Sequence, residues 1–144
     1  MLTRFENFSL LIFELHKLIV KISAEEMKKY GLQSPAALLL LVLNKDKACT
    51  AASLARKIGK NKAEISRTLK ELEAKSFIEK KKSSTNYRVE IKLTESGCQT
   101  ASAIEGEAIR AVSLASRGIC DDDRETMYKA LDLIRENLQT ITNE

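Results

Sequence analysis

The sequence predicts a mainly α-helical protein with one small β-hairpin, an α+β chain in which six helices frame a single pair of strands. Three observations carry this. Apolar residues recur at helical spacing along most of the 144 residues. One strict alternation, Tyr87, Val89, Ile91 and Leu93 against Arg88, Glu90 and Lys92, follows the turn cluster Ser83-Ser84-Thr85-Asn86. One Pro and five Gly leave little room for long linkers.

The first helix is expected from about Thr3 to Lys29. Phe5, Phe8, Ile12, Leu15, Ile19 and Ile22 fall alternately three and four apart, the heptad seam of a helix that packs along another helix. Such a helix is about 40 Å long, more than a compact core of this size requires. Gly31 offers a left-handed stop. Ser34-Pro35 opens the second helix, with Ser as cap and Pro in the first turn, where its missing N–H costs nothing. The run from Ala36 to Leu43 is apolar all round, which fits a buried helix and is too short for a bilayer.

Thr50 caps a third helix over about Ala51–Ile58, which Gly59 ends. Asn61 caps a fourth, with Glu64 at capping-box spacing and Ile65, Leu69 and Leu72 as its buried stripe. Only Gly59, Lys60 and Asn61 lie between, so the pair is a helix-turn-helix. The segment from Phe77 to Leu93 then forms the hairpin, and the whole is a winged helix. Thr94 caps a fifth helix to about Arg117, whose inward face is small: Ala101, Ile104, Ala108, Ala111 and Ala115. Gly118 breaks it, and Asp121-Asp122-Asp123 opens the sixth where negative charge opposes the helix dipole. Met127, Leu131, Ile134, Leu138 and Ile141 make a second heptad seam.

Charge is localised. Residues 56–92 hold 12 Lys/Arg against 5 Asp/Glu, a net +7, whereas the protein as a whole is +4. The first 55 residues are +2 and residues 94–144 are −5. A basic helix-turn-helix with a Lys-rich hairpin suits a polyanion, double-stranded DNA first. Zero Trp and seven other aromatics argue against a single-strand binder built on stacking platforms.

The two seams need partners that one small winged helix does not supply, and the economical solution is a twofold homodimer. The expected organisation is an N-terminal dimerisation helix over 1–32, a winged helix-turn-helix DNA-binding domain over 33–93, and C-terminal dimerisation helices over 94–144. Dimer contacts are expected from Phe5, Phe8, Ile12, Met127, Leu131, Ile134, Leu138 and Ile141.

No catalytic constellation is present. His16 is the only histidine, and there is no phosphate-cradling Gly loop or nucleophile motif, so neither an enzyme nor a cofactor is expected. Cys49, Cys98 and Cys120 are an odd number without metal-ligand spacing, so no metal site is expected. They read as free thiols of a reducing cytoplasm; the sharper alternative is a redox-sensing thiol at Cys98, in the first turn of a helix. The N-terminus lacks a signal-peptide pattern, and no membrane partner is expected.

Several stretches carry a family resemblance: Leu54-Ala55-Arg56-Lys57-Ile58-Gly59, Ile65 through Glu73, Phe77-Ile78-Glu79-Lys80, and Leu93-Thr94-Glu95-Ser96-Gly97. In these, and in the order of helices over essentially its full length, the chain resembles the MarR family of bacterial transcriptional regulators. The resemblance implies a homodimeric repressor or activator on a short pseudo-palindromic operator. The fourth helix would enter the major groove and the wing would lie near the minor groove. It also implies modulation by a small effector in a crevice lined by the first, second and fifth helices, where His16 and Tyr30 are undecided contacts. Two positions depart from the pattern. Ser76 stands where many members have Gly, and Thr85 and Tyr87 stand where many carry the Asp and Arg of a wing Asp-x-Arg. Asn86-Tyr87-Arg88 is the available equivalent, with Arg88 as the wing candidate.

Opposite its buried stripe the fourth helix presents Ala63, Ser66, Arg67, Lys70 and Ala74. Small residues permit close approach, Ser66 and Arg67 sit where the resemblance places base and phosphate reading, and Arg suits the paired acceptors of guanine. Lys60, Lys62 and Lys70 are expected on phosphates, and Lys80, Lys81, Lys82, Asn86 and Arg88 beside the duplex. Two other readings remain open at this point: a non-specific architectural DNA binder, and a winged helix used for protein interaction.

Overall fold

The computed structural model describes residues 3–82 and 88–142, with all their side chains except those of Phe5 and Ser34. The elements are α1 (Arg4–Lys28), α2 (Ser34–Asp46), α3 (Ala51–Ile58), α4 (Lys62–Ala74), β1 (Ile78–Lys82), β2 (Val89–Leu93), α5 (Glu95–Ala115) and α6 (Asp121–Thr142). The chain divides into two compact units, Met1–Glu107 and Ala108–Glu144.

The first unit holds the core. Leu39, Leu40 and Leu43 of α2 are fully buried with Leu54 of α3, Ile65 and Leu72 of α4, and Ile91 of β2. Met27, Leu32, Ala101 and Ile104 complete the cluster, and Tyr30 and Phe77 pack against it. The all-round apolar run of α2 is thus the central helix, touching α1, α3, α4 and β2.

Caps fix the helix starts. Thr3 and Glu6 form a capping box on α1, and the Thr3 amide holds the Glu6 carboxyl below its ordinary range. Thr50 and Ser53 form another on α3. Two expectations change. The cap of α2 is Gln33, without a side-chain bond, so Ser34 already lies inside the helix. Asn61 Oδ1 accepts from the Glu64 amide at 2.9 Å, but no reciprocal bond completes a capping box; the Glu64 carboxylate turns instead to Lys60.

The hairpin is antiparallel, with Ile78 opposite Leu93, Lys80 opposite Ile91 and Lys82 opposite Val89. A single residue, Cys49, pairs with the other side of Ile91: its amide donates to the Ile91 carbonyl at 3.1 Å and the Ile91 amide donates back at 2.7 Å. This one-residue third strand is invisible to any periodicity argument, because alternation needs several residues to register.

The second unit is the end of α5, a turn at Gly118 (φ 84) and α6. Arg124 ties the turn, reaching Asp121 Oδ1 at 3.2 Å and donating to the Ile119 carbonyl at 3.4 Å. No residue of α6 is buried within the chain, and Met127, Leu131, Leu138 and Ile141 are exposed. On α1, Phe8, Ile12, Leu15, Ile19 and Ile22 are likewise exposed. Of the small face expected on α5, Ala101 and Ile104 are buried, whereas Ala108 and Ala115 are exposed; Gly97 and Thr100 extend the buried part toward the helix start. Among the described residues no helix is long and apolar enough to cross a membrane.

Candidate nucleic-acid interface

The turn between α3 and α4 is built by Gly59, at φ 70, whose amide donates to the Ala55 carbonyl. Ile65, Thr68, Leu69 and Leu72 pin α4 to the core. The sequence reading omitted Thr68, because its hydroxyl is satisfied locally by donating to the Glu64 carbonyl at 2.9 Å. That buried stripe turns Ala63, Ser66, Arg67 and Lys70 outward, and all four are exposed.

The end of α4 sets the wing. The Phe77 amide donates to the Leu72 carbonyl and the Ser76 amide to the Glu73 carbonyl, the two bonds of a Schellman motif. Ser76 occupies its left-handed position at φ 61, a conformation that favours Gly. Thr94 then fastens three elements. Its hydroxyl donates to the Ser76 carbonyl at 2.7 Å and accepts from the Gly97 amide at 3.0 Å, and its amide donates to the Phe77 carbonyl at 3.1 Å. The end of α4, the base of the wing and the start of α5 are therefore held on one residue.

The hairpin register sorts the wing cations by face. Lys80 and Lys82 lie on the side of Ile78 and Ile91, toward the core, and Lys81 lies on the other. On that other side Lys81 opposes Glu90 and Glu79 opposes Lys92, with Lys81–Glu79 at 3.2 Å and Lys92–Glu90 at 3.6 Å. Two acids and two bases balance within the paired strands, and by the strand alternation Arg88 adjoins this side. On the core side Lys80 folds back to Glu73 of α4 at 3.0 Å, while Lys82 makes no ion pair among the described residues.

The ten expected DNA residues thus fall into groups. Lys62, Ser66, Arg67, Lys70, Lys82 and Arg88 are exposed, and the five basic ones among them make no ion pair among the described residues. Lys60, Lys80 and Lys81 are exposed but paired with Glu64, Glu73 and Glu79. Asn86 lies outside the described residues. Arg56 is a further exposed cation of the helix-turn-helix, with no ion pair among the described residues, whereas its neighbour Lys57 is held by Asp46, which raises the lysine's pKa above its ordinary value. His16 is exposed and Tyr30 half-buried. Cys49 is buried, and Cys98 and Cys120 are exposed free thiols. Among the described residues no group of His, Cys, Asp or Glu is placed to hold a metal ion.

A family model described as MarR family matches residues 30–88, from just after α1 to the residue before β2. Over that stretch the chain resembles the MarR family. Its surroundings follow the same plan. A MarR protein from Peptoclostridium difficile is similar over 97% of this chain and 94% of its own, at a TM-score of 0.86 and 16% identity. A MarR-family regulator from Listeria monocytogenes, solved with a 26mer DNA, covers 96% of this chain and 90% of its own at 0.81 and 21%. MepR of S. aureus, also solved with DNA, covers 91% and 97% at 0.80 and 18%. No curated protein matches the chain. At these identities the likeness shows the MarR fold, in which α3 and α4 are the helix-turn-helix and β1 and β2 the wing.

Proposed function

We propose that this protein is a sequence-specific, double-stranded-DNA-binding transcriptional regulator of the MarR type, acting as a homodimer on a pseudo-palindromic operator. The observation that carries the reading is the outward face of α4, where Ser66, Arg67 and Lys70 stand exposed on a helix that Ile65, Leu69 and Leu72 hold down. Arg67 is assigned to base edges, with Lys62 and Lys70 on phosphates. Lys82 and Arg88 would follow the backbone beside the wing, with Asn86 at its tip and Lys60, Lys80 and Lys81 as paired, secondary cations. Two solved MarR-type relatives were crystallised on DNA, which supports the same use of this fold.

Residues 1–32 and 94–144 are assigned to the dimer around the DNA-binding part at 33–93. Phe8, Ile12, Met127, Leu131, Leu138 and Ile141 leave two heptad seams uncovered within one chain, Ile134 is half-covered, and Phe5 continues the first seam in sequence. A second copy brings the same seams in twofold relation and spaces two α4 helices one DNA turn apart. On this reading the protein is no enzyme, works in a bacterial cytoplasm, and answers to a small effector.

In-vitro selection from a random DNA pool tests the reading. A palindromic motif with half-sites about 10 bp apart is expected. Enrichment of no motif, with equal affinity for all duplexes, would replace it by the architectural binder.

A further inference from the structure

The recognition helix ends against its own dipole. Its last turn carries Glu71 and Glu73 with no basic residue before the C-cap Lys75, although the negative end of a helix favours cations. Local helix physics therefore does not account for an acid at 73. The hairpin supplies an account, because Glu73 Oε2 lies 3.0 Å from the Nζ of Lys80 on β1. Lys80 stands on the same face of the wing as Lys82, the face that adjoins α4. That carboxylate neutralises one of the two lysines there, while Lys82 and the α4 cations Arg67 and Lys70 make no ion pair among the described residues. Both partners are partly solvated, with side chains 31% and 47% exposed, so the pair is weak and exchangeable.

We propose that Glu73 competes with DNA phosphate for Lys80 and so limits the sequence-independent grip of the wing. The inference rests on the DNA-binding reading above. Each phosphate that a lysine neutralises releases counterions, and this term grips every duplex alike. A carboxylate on Lys80 withholds one such contact. The discrimination carried by Arg67 and Ser66 is then diluted less by attraction to arbitrary DNA. Glu73 is a specificity-determining residue that need touch no base.

The test titrates the full-length protein with random-sequence duplex across a salt series. Glu73→Gln is expected to tighten binding about threefold and to steepen the salt slope by about one unit. Glu71→Gln removes the same charge from the same turn without an ion pair and is expected to change affinity less, with the slope unaltered. In a Lys80→Gln background Glu73→Gln is expected to have no effect on the slope. Unchanged or weaker binding by Glu73→Gln overturns the inference, as does an equal gain from Glu71→Gln or a gain that survives Lys80→Gln. Wild-type protein that binds no duplex overturns the DNA reading itself, and this inference with it.

Discussion

Gly97 faces the backbone of Phe77 so closely that a Cβ on it would fall 1.9 Å from the Phe77 carbonyl oxygen and 2.9 Å from its carbon. That oxygen already accepts the Thr94 amide, so it cannot turn aside without loosening the base of the wing. The first turn of α5 touches the strand that leaves the recognition helix, and only a residue without a side chain allows it. Gly97→Ala is expected to destabilise the fold by about 1–3 kcal/mol, as overpacking against an immovable neighbour does. Urea unfolding measures it, and an unchanged midpoint would refute the contact. The same variant should bind DNA more weakly even where it remains folded, because Thr94 sets the wing against α4.

Ser76 invites the opposite change. It sits at φ 61 in the Schellman turn that closes α4, where a side chain is crowded by its own backbone. Ser76→Gly is expected to stabilise by about 0.5–1 kcal/mol, the relief of left-handed strain less the extra freedom Gly has when unfolded. The denaturation midpoint checks this, and Ser76→Val should move it the other way, since a β-branched residue tolerates positive φ least.

These two positions also mark what the sequence makes legible. Thr50, Gly59 and Asn61 announce α3 and α4 from the sequence because caps and left-handed stops act within four residues. The heptads on α1 and α6 are equally local, and Phe8, Ile12, Leu131 and Leu138 among them are exposed. Gly97 reads as an ordinary helix residue until Phe77, twenty positions earlier, is brought against it. The Lys80–Lys82 run reads as one cationic patch until the register is known, because a shift of one residue exchanges the faces. The wing's third strand is a single Cys, and Glu73 declares itself only by standing at the wrong end of a helix dipole.

The face assignment separates neighbours in that run. Lys82→Gln is expected to weaken binding to any duplex about threefold and to lower the salt slope by about one unit. Lys81→Gln should do clearly less, since Lys81 is already paired with Glu79 at 3.2 Å. Fluorescence anisotropy over a salt series compares them, and a larger loss from Lys81→Gln would mean that the hairpin meets DNA with its other side.

On the proposed function Arg67 carries the sequence-reading part. It is exposed on the outward face of α4, between Ser66 and the buried Thr68. Arg67→Ala is expected to cost about 1–3 kcal/mol on the selected operator and to relax one position of the motif in each half-site. On random duplex the loss should be smaller, near that of a phosphate contact. A mobility-shift series with operator variants measures both, and an equal loss on every sequence would assign Arg67 to the backbone instead.

The last prediction concerns the seam on α6. Leu131 is exposed within the chain, with Met127 one turn before it and Leu138 two turns after on the same stripe. A carboxylate at this position costs the isolated chain little, because water already reaches it. In a twofold dimer it would be buried without a partner, at about 3–5 kcal/mol, enough to weaken association several hundredfold. Leu131→Asp is therefore expected to give a monomer of unchanged helical content by size-exclusion chromatography with light scattering. Ile12→Asp should do the same from the α1 seam. DNA affinity should fall further than either wing variant, since a single α4 then grips only one half-site. A Leu131→Asp protein that remains dimeric would remove α6 from the interface and leave α1 to form it alone.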